Sequence, residues 1–189
     1  MMDDLDTRER ILKHAVNIFS VKGFHGTSMR DIAKASACSL PTLYYYYHSK
    51  SQLFEEIVVH QFMIITENMN RKLNLHQSPE ELYLHVLKTR MELQGFDREV
   101  YKMALKVWLG FEGEGQARDQ ILEWERKRAD ANKVFINRAV RNENLREDVT
   151  EIFINYMENI INRIILLDET FEDEKLKRQI ALLFQIGTS

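Results

Sequence analysis

Apolar residues recur every three or four positions along almost the whole chain, with polar residues between them. The stripe of Leu12, Ala15, Val16 and Phe19 near the N-terminus is one example. This spacing matches the turn of an α-helix, and no run alternates between apolar and polar as a half-buried β-strand does. The pattern predicts an all-α protein of about nine helices with no sheet.

Residues that favour helix ends separate these stripes. Serines that can accept a hydrogen bond from a first-turn N–H precede several predicted helices, and glycines follow others. The predicted starts are Asp6, Ser28, Ser39, Ser49, Ser78, Asp97, Asn144 and Thr170, and the predicted stops include Gly23, Gly95 and Gly187. We expect the fourth helix to run without interruption from Ser49 toward Asn74.

Composition narrows the class of protein. The 189 residues are 44% hydrophobic and 29% charged, which is typical of a globular protein and excludes wholesale disorder. Cys38 is the single cysteine, so an internal disulfide and a zinc site built from cysteines are excluded. The N-terminus lacks the pattern of a signal peptide, and no apolar run is long enough to span a bilayer. We therefore expect a cytoplasmic protein.

Charge is unevenly distributed along the chain. The formal net charge is -3, yet seven Lys or Arg residues stand against two acids between Thr7 and Lys50. A basic N-terminal segment on an acidic body is expected if only the first part meets phosphate. Two ordinary charged surfaces explain the charge pattern equally well.

Three short predicted helices between Thr7 and His48 suggest a helix-turn-helix unit, whose last helix lies in the major groove of DNA. In that last helix Leu43 and Tyr47 are four residues apart and are expected to share the buried face. The four consecutive tyrosines cannot all be core, and exposed rings and hydroxyls suit a DNA groove. A tyrosine-rich packing helix with its hydroxyls in water is the alternative interpretation.

A family resemblance rests on the first fifty-odd residues. It is carried by Thr7, Arg8, Ile11, Leu12, Ala15, Phe19, Gly23, Phe24, Thr27, Ser28, Arg30, Asp31, Ile32, Ala33, Ser39, Pro41, Thr42, Leu43, Tyr44, Tyr46, Tyr47, Ser49, Lys50 and Leu53. With these residues the segment resembles the TetR family of transcriptional regulators. The resemblance implies a homodimer with a helix-turn-helix DNA-binding domain at 1–50. It also implies a helical body at 51–189 for effector binding and dimerisation.

The resemblance also assigns roles by position. The implied DNA-binding residues are Ser28 and Arg30 on the second helix, Lys50 at the start of the fourth, and Ser39, Leu40, Pro41, Thr42, Tyr44, Tyr45 and Tyr46 on the recognition helix. Ala37 stands where the family often has Gly, so we expect a strained or altered turn. Leu40 replaces a frequently polar residue and favours apolar contact. Tyr47 replaces the usual Phe, so its hydroxyl must find a partner.

The body offers candidates for two further surfaces. Its last two helices carry broad apolar faces, which we interpret as a symmetric dimer interface made by Phe153, Met157, Ile160, Ile161, Ile164, Leu176, Ile180, Leu183 and Phe184. Large, adaptable side chains that could line a ligand pocket are Phe62, Met63, Met91, Phe96, Tyr101, Met103, Trp108, Phe111 and Trp124. Taken singly, each of these pocket candidates is more often a plain core residue.

We therefore predict a dimeric repressor that a small-molecule effector releases from a palindromic operator in double-stranded DNA. No metal, cofactor or catalytic residue is expected. The competing class is an all-helical metal- or small-molecule-binding enzyme, for which Glu56 with His60 and Glu81 with His85 are the available acid–imidazole pairs. Their spacing differs from the Glu-x-x-His pairs of bundle di-iron sites. A helical adaptor that binds only proteins is a third class.

Overall fold

The computed structural model describes residues 2–71, 73, 77–113, 115–140 and 142–186, and their side chains except those of residues 2–6, 138 and 186. Within these ranges the regular structure is helical, as the hydrophobic spacing predicts. The first three helices are α1 (Met2–Gly26), α2 (Met29–Ala35) and α3 (Leu40–Tyr46).

The fourth helix, α4, covers residues 50–70 and contains a wider turn. Its α-helical ends, Lys50–Glu55 and Phe62–Asn70, flank a π-helical turn at Glu56–Gln61. A 3-10 turn at Glu143–Leu145 precedes α8. The remaining helices are α5 (Pro79–Met91), α6 (Gly95–Trp108), α7 (Gln116–Ala139), α8 (Arg146–Leu166) and α9 (Asp173–Ile186).

Four of the eight predicted helix starts are confirmed. The hydroxyls of Ser28, Ser39, Ser49 and Ser78 each accept a hydrogen bond from the N–H three residues later. The start at Asp6 is wrong because α1 already begins at Met2. The start at Asn144 is wrong as well: the Asn142 side chain caps the 3-10 turn, and α8 follows it without a side-chain cap.

Two glycines behave differently from each other. Gly23 interrupts α1 with φ 68° and ψ 175°, so the predicted stop at this position is confirmed. Gly95 was expected to end α5, but α5 ends at Met91 and Gly95 is the first residue of α6. The predicted ends at Asn74 and Gly187 lie outside the described residues.

The chain packs as two compact units that interleave in sequence. The first comprises Met1–Ile65 and Gln94–Leu122. In it α1 packs against α2, α6 and the start of α4. Phe19, Phe24 and Phe54 form an aromatic cluster with centroid distances of 5.0–6.3 Å. This cluster joins α1 to the start of α4.

The second unit comprises Thr66–Leu93 and Glu123–Ser189. Here α5 packs against both α8 and α9. The rings of Tyr83, Phe153 and Phe184 meet at centroid distances of 4.5–6.3 Å and form its centre. The boundary between the two packed units does not fall at residue 50, because α6 packs against α1 in the first unit. The functional boundary between 1–50 and 51–189 stays a prediction.

Candidate nucleic-acid interface and ligand cavity

Two side-chain hydrogen bonds hold the turn between α2 and α3. The Arg10 guanidinium donates through Nε to the carbonyl of Ser36 at 2.9 Å. The Ser39 hydroxyl accepts from the Thr42 N–H at 3.1 Å and caps α3. Ala37 has a φ of 48°, in the left-handed region that glycine tolerates far better. The expectation of a strained turn at Ala37 is confirmed, and the anchored turn fixes how α3 is presented.

Helix α3 has one buried face and one open face. Leu43 is fully buried and Tyr47 is 3% exposed, so the predicted core face is confirmed. On the opposite face Pro41 is exposed, Tyr44 is 43% exposed and Tyr45 is 73% exposed. The tyrosines of α3 are therefore not all buried, because two of the rings and Pro41 are exposed on one side of the helix.

The flanking side chains of α3 are partly covered. Leu40, Thr42 and Tyr46 are half-buried. The Thr42 hydroxyl lies 2.7 Å from that of Ser39, and the Tyr46 ring meets Tyr45 edge-on at 5.2 Å. The contact with Ser39 orients Thr42 and leaves part of the hydrogen-bonding capacity of the Thr42 hydroxyl for a second partner.

Tyr47 departs from the expectation that its hydroxyl finds a partner. Among the described residues the buried hydroxyl has no hydrogen-bond partner. Burial raises the pKa of Tyr47 to about 12, although the Arg8 guanidinium, 5.9 Å from the ring centre, acts in the opposite direction. The residue thus serves as an aromatic core residue with an unsatisfied hydroxyl.

The Lys50 side chain forms hydrogen bonds to backbone carbonyls of its own chain. Its ammonium donates to the carbonyls of Phe24 at 2.7 Å and Thr27 at 2.9 Å, and lies 4.4 Å from the centre of the Phe24 ring. An ammonium has three N–H donors, so these bonds use two of them. Lys50 therefore ties α4 to the corner between α1 and α2, a structural role that the sequence did not indicate.

The positive charge near α2 is partly compensated. Lys22 pairs with Asp31 at 3.6 Å, while Arg30 and Lys34 are exposed. A hydrogen bond from Ser28 and the nearby Lys22 hold the pKa of Asp31 below its usual value. The Ser28 hydroxyl accepts from the Asp31 N–H at 3.1 Å, so it caps α2 and lies at an exposed surface. Burial raises the pKa of the half-buried Cys38 thiol, which is consistent with a packing role.

The second unit contains a cavity of about 540 Å³. Helices α5, α7 and α8 supply most of its wall, which is largely apolar. Its described lining residues are Asn70, Leu73, Tyr83, Val86, Arg90, Trp124, Lys127, Arg128, Ala129, Ala131, Asn132, Ile136, Phe153, Ile154, Met157 and Ile161. A second cavity of about 610 Å³, with charges of both signs, lies between α7 and α8.

The predicted pocket residues are mostly elsewhere. Of the nine candidates, Trp124 alone is among the described lining residues of the first cavity. Phe62, Tyr101 and Met103 are buried in the core of the first unit, where the Phe62 and Tyr101 rings meet at 5.0 Å. Phe111 is 76% exposed. The other four candidates, Met63, Met91, Phe96 and Trp108, are half-buried and do not line this cavity.

Polar groups of the cavity wall are mostly paired. The Tyr83 hydroxyl donates to Asn132 at 3.3 Å. Arg128 donates to Glu125 at 2.6 Å and reaches Glu158 at 3.5 Å. Burial raises the pKa of the Glu158 carboxyl, and Arg128 opposes the rise. Arg90 is the exception, because its Nε has no partner among the described residues.

The predicted dimer face is buried within the protomer. Phe153, Met157, Ile160, Ile161, Ile164, Leu176, Ile180 and Phe184 are at most 6% exposed in the single chain, and Leu183 is half-buried. In the single chain these residues leave little surface for a second subunit, and their assignment to a subunit interface stays a prediction. They form the internal contact among α5, α8 and α9 and part of the cavity wall. The exposed apolar residues of α8 and α9 are Ile152 and Leu182, each 54% exposed.

The residues suggested for an enzyme do not converge. The Glu56 carboxylate accepts from Arg8 at 3.1 Å and Gln61 at 3.0 Å, and His60 is exposed. Across the described part of the chain, no three or more His, Cys, Asp or Glu side chains are grouped so that they could hold a metal ion. In the same part of the chain, no helix has the length and apolarity required to cross a bilayer.

Comparison with known proteins shows what the N-terminal segment is similar to. Residues 11–57, from the core of α1 to the π-helical turn of α4, match the sequence model of the bacterial regulatory proteins of the tetR family. The match includes the whole of α2 and α3, with the buried and open faces described above.

Relatives with curated sequences match only part of this chain. The transcriptional regulator UidR of Escherichia coli K12 is 44% identical over 64 residues, 31% of this chain and 33% of UidR. The negative regulator IcaR of the biofilm operon icaADBC in Staphylococcus epidermidis is 28% identical over 81 residues, 43% of this chain and 44% of IcaR. The chain thus spans less than half the length of these relatives.

A structural comparison extends over nearly the whole chain. AibR, solved in complex with isovaleryl coenzyme A and operator DNA, superposes with a TM-score of 0.70. The alignment covers 94% of this chain and 98% of AibR at 20% identity. The chain therefore shares the fold of AibR over nearly its whole length, at low sequence identity.

Proposed function

We propose that the protein is a sequence-specific DNA-binding transcriptional regulator that acts as a repressor. The observation that carries this proposal is the open face of α3, where Pro41, Tyr44 and Tyr45 stand exposed above the buried Leu43 and Tyr47. This face lies in the segment that matches the TetR family. Rings and hydroxyls there can contact base edges and thymine methyl groups, while the exposed Arg30 can contact phosphate.

The regulator acts as a homodimer on a palindromic operator. A twofold axis places two α3 helices on half-sites about 34–36 Å apart, or a multiple of that distance. Ile152 on α8 and Leu182 on α9 are the exposed apolar side chains of the helices that we expect to meet across this axis. The interface is then isologous, with the same patch on both subunits.

A small molecule bound in the 540 Å³ cavity releases the repressor from DNA. The effector favours dimers whose recognition helices no longer fit both half-sites, and so shifts the population away from the DNA-binding form. Effector and operator must then weaken each other's binding by the same factor. The cavity size supports this role because it lies within the range of about 300–1,000 Å³ typical of small-molecule sites.

Recovery of genomic fragments on the purified protein, followed by footprinting of the strongest fragment, tests the proposal. We expect a protected inverted repeat and an affinity that falls steeply with salt, because bound phosphates release counter-ions. A protein that binds only proteins, or an enzyme-like bundle, retains no fragment above background. That result would overturn the DNA-binding proposal.

A further inference from the structure

The wall of the cavity in the second unit carries an imbalance of charge. Among its described lining residues Arg90, Lys127 and Arg128 are positive, and no Asp or Glu is present. Lys127 is at the solvent side and pairs with Glu123 at 3.3 Å. Arg128 pairs with Glu125 and Glu158. Two of the three positive charges are therefore already neutralised by the protein.

Arg90 is the charge that remains uncompensated. The residue is 5% exposed, and its Nη1 donates to the carbonyl of Val86 at 3.0 Å and to the Thr89 hydroxyl at 2.9 Å. These acceptors are neutral, and no carboxylate among the described residues forms an ion pair with Arg90. Its Nε is buried without a hydrogen-bond partner. Buried guanidinium groups are normally paired, because leaving one unpaired is strongly destabilising.

The rest of the cavity suits an apolar group. Trp124, Phe153 and Met157 line it together with aliphatic side chains from α7 and α8. A planar guanidinium offers two parallel N–H donors that match the two oxygens of a carboxylate. Because Arg90 lacks an anionic partner and the wall is apolar, the cavity suits a ligand with one anionic end and one hydrocarbon end.

We propose that the cavity binds a small amphipathic monocarboxylate whose carboxylate pairs with Arg90 and whose hydrocarbon part packs against Trp124, Phe153 and Met157. This inference rests on the proposed function insofar as it names the chemical class of the effector. The binding itself does not require DNA. Octanoate and decanoate are suitable probes, with octanol and decyltrimethylammonium as chain-matched neutral and cationic controls.

Direct binding measured by calorimetry on the full-length protein, without DNA, tests the site. We expect octanoate or decanoate to bind, and the neutral and cationic controls to bind at least about tenfold more weakly. Arg90→Met removes the charge while keeping an apolar side chain, and should weaken decanoate binding by about tenfold or more. Arg90→Lys should restore part of the affinity. Lys127→Met, which removes a paired charge from the rim, should leave it nearly unchanged.

Thermal unfolding of each variant establishes that it is folded before binding is compared. Equal affinity for the alcohol or the cation, unchanged decanoate affinity in folded Arg90→Met, or no carboxylate binding to the wild type would each overturn the site. A separate operator-binding assay distinguishes the two proposals. Carboxylate binding that leaves the operator complex intact supports the site and contradicts effector release. Release by the cation alone supports effector release and overturns the carboxylate site.

Discussion

Two residues near the recognition helix have unfavourable local features: one has a strained backbone and the other has a buried hydroxyl without a hydrogen bond. Ala37 adopts a left-handed φ of 48°, and Tyr47 buries a hydroxyl that has no partner among the described residues. The first was predictable from the sequence because Gly is common at that place in the family that the segment resembles. The second was not, because the position of a hydroxyl's neighbours depends on side-chain packing that spacing alone does not specify.

Ala37→Gly should stabilise the protein. A non-glycine residue in the left-handed region costs about 1–2 kcal/mol, while Gly costs about 0.5–1 kcal/mol more backbone entropy on folding. We expect the free energy of unfolding to rise by about 0.5–1 kcal/mol in urea denaturation. Ala35→Gly in α2 is the matched control and should lower it. A lower stability of the Ala37 variant would contradict the strain assignment.

Tyr47→Phe should also stabilise the protein, by about 1 kcal/mol at neutral pH, because it removes a buried unpaired hydroxyl. The gain should increase with pH. Tyr47 titrates at about 12 in the folded chain and near its ordinary value of 10 when unfolded. The unfolded chain therefore releases the proton first, and the wild type loses stability as the pH rises from 10 toward 12. Urea denaturation below and above pH 10 measures both effects, and a gain that does not grow with pH would contradict the assignment.

At the scale of elements, helix positions and faces were largely predictable. Serine caps at Ser28, Ser39, Ser49 and Ser78 and the buried face of α3 follow from local chemistry and the 3.6-residue period. Two other features were not predictable from the sequence. They are the π-helical turn of α4 and the bonds of Lys50 to the carbonyls of Phe24 and Thr27. Both depend on how helices pack against one another, and periodicity within one helix carries no information on that.

Tyr44→Ala tests the open face of α3. Because the ring is partly exposed and Leu43 beneath it is unaffected, stability should change little, while operator affinity should fall about tenfold and non-specific affinity much less. Fluorescence anisotropy with operator and scrambled duplexes measures the difference. Phe111→Ala removes another exposed ring from the same unit and should leave both affinities unchanged. Equal losses on the two duplexes would contradict base contact by Tyr44.

Lys50→Met separates a structural role from a phosphate contact. Loss of two charge-assisted bonds to carbonyls should lower the free energy of unfolding by about 1–2 kcal/mol, since the side chain is half-buried. If the third N–H also contacts a phosphate, the salt slope of operator binding should fall by about one unit. Denaturation and a salt titration measure the two separately. A flattened slope with unchanged stability would contradict the tie to the α1–α2 corner.

For the whole molecule, helical spacing identified apolar faces but not their partners. The residues assigned to a dimer interface are buried against the chain's own helices, and most residues assigned to a pocket fill a core. An apolar stripe looks the same whether it covers its own subunit or a second one. A cavity is likewise defined by the space that neighbouring helices leave empty, and no single helix encodes that space.

The exposed apolar residues of α8 and α9 give a test of dimerisation. A double variant, Ile152→Glu with Leu182→Glu, should dissociate the dimer, because four charges would enter a symmetric interface. Sedimentation should then show monomers, and operator affinity should fall by at least about a hundredfold, because each half-site must be bound separately. Val134→Glu changes a residue of equal exposure on α7 and should leave the dimer intact. A double variant that remains dimeric would contradict this interface.

The π-helical turn at Glu56–Gln61 also affects how this chain is aligned with relatives. Such a turn accommodates one residue more than an α-helical turn, and each residue advances an α-helix by about 100°. A relative with an uninterrupted α-helix here would need one residue fewer to keep Phe62 facing Tyr101. A gap-free alignment carried beyond this turn would pair side chains that point in different directions.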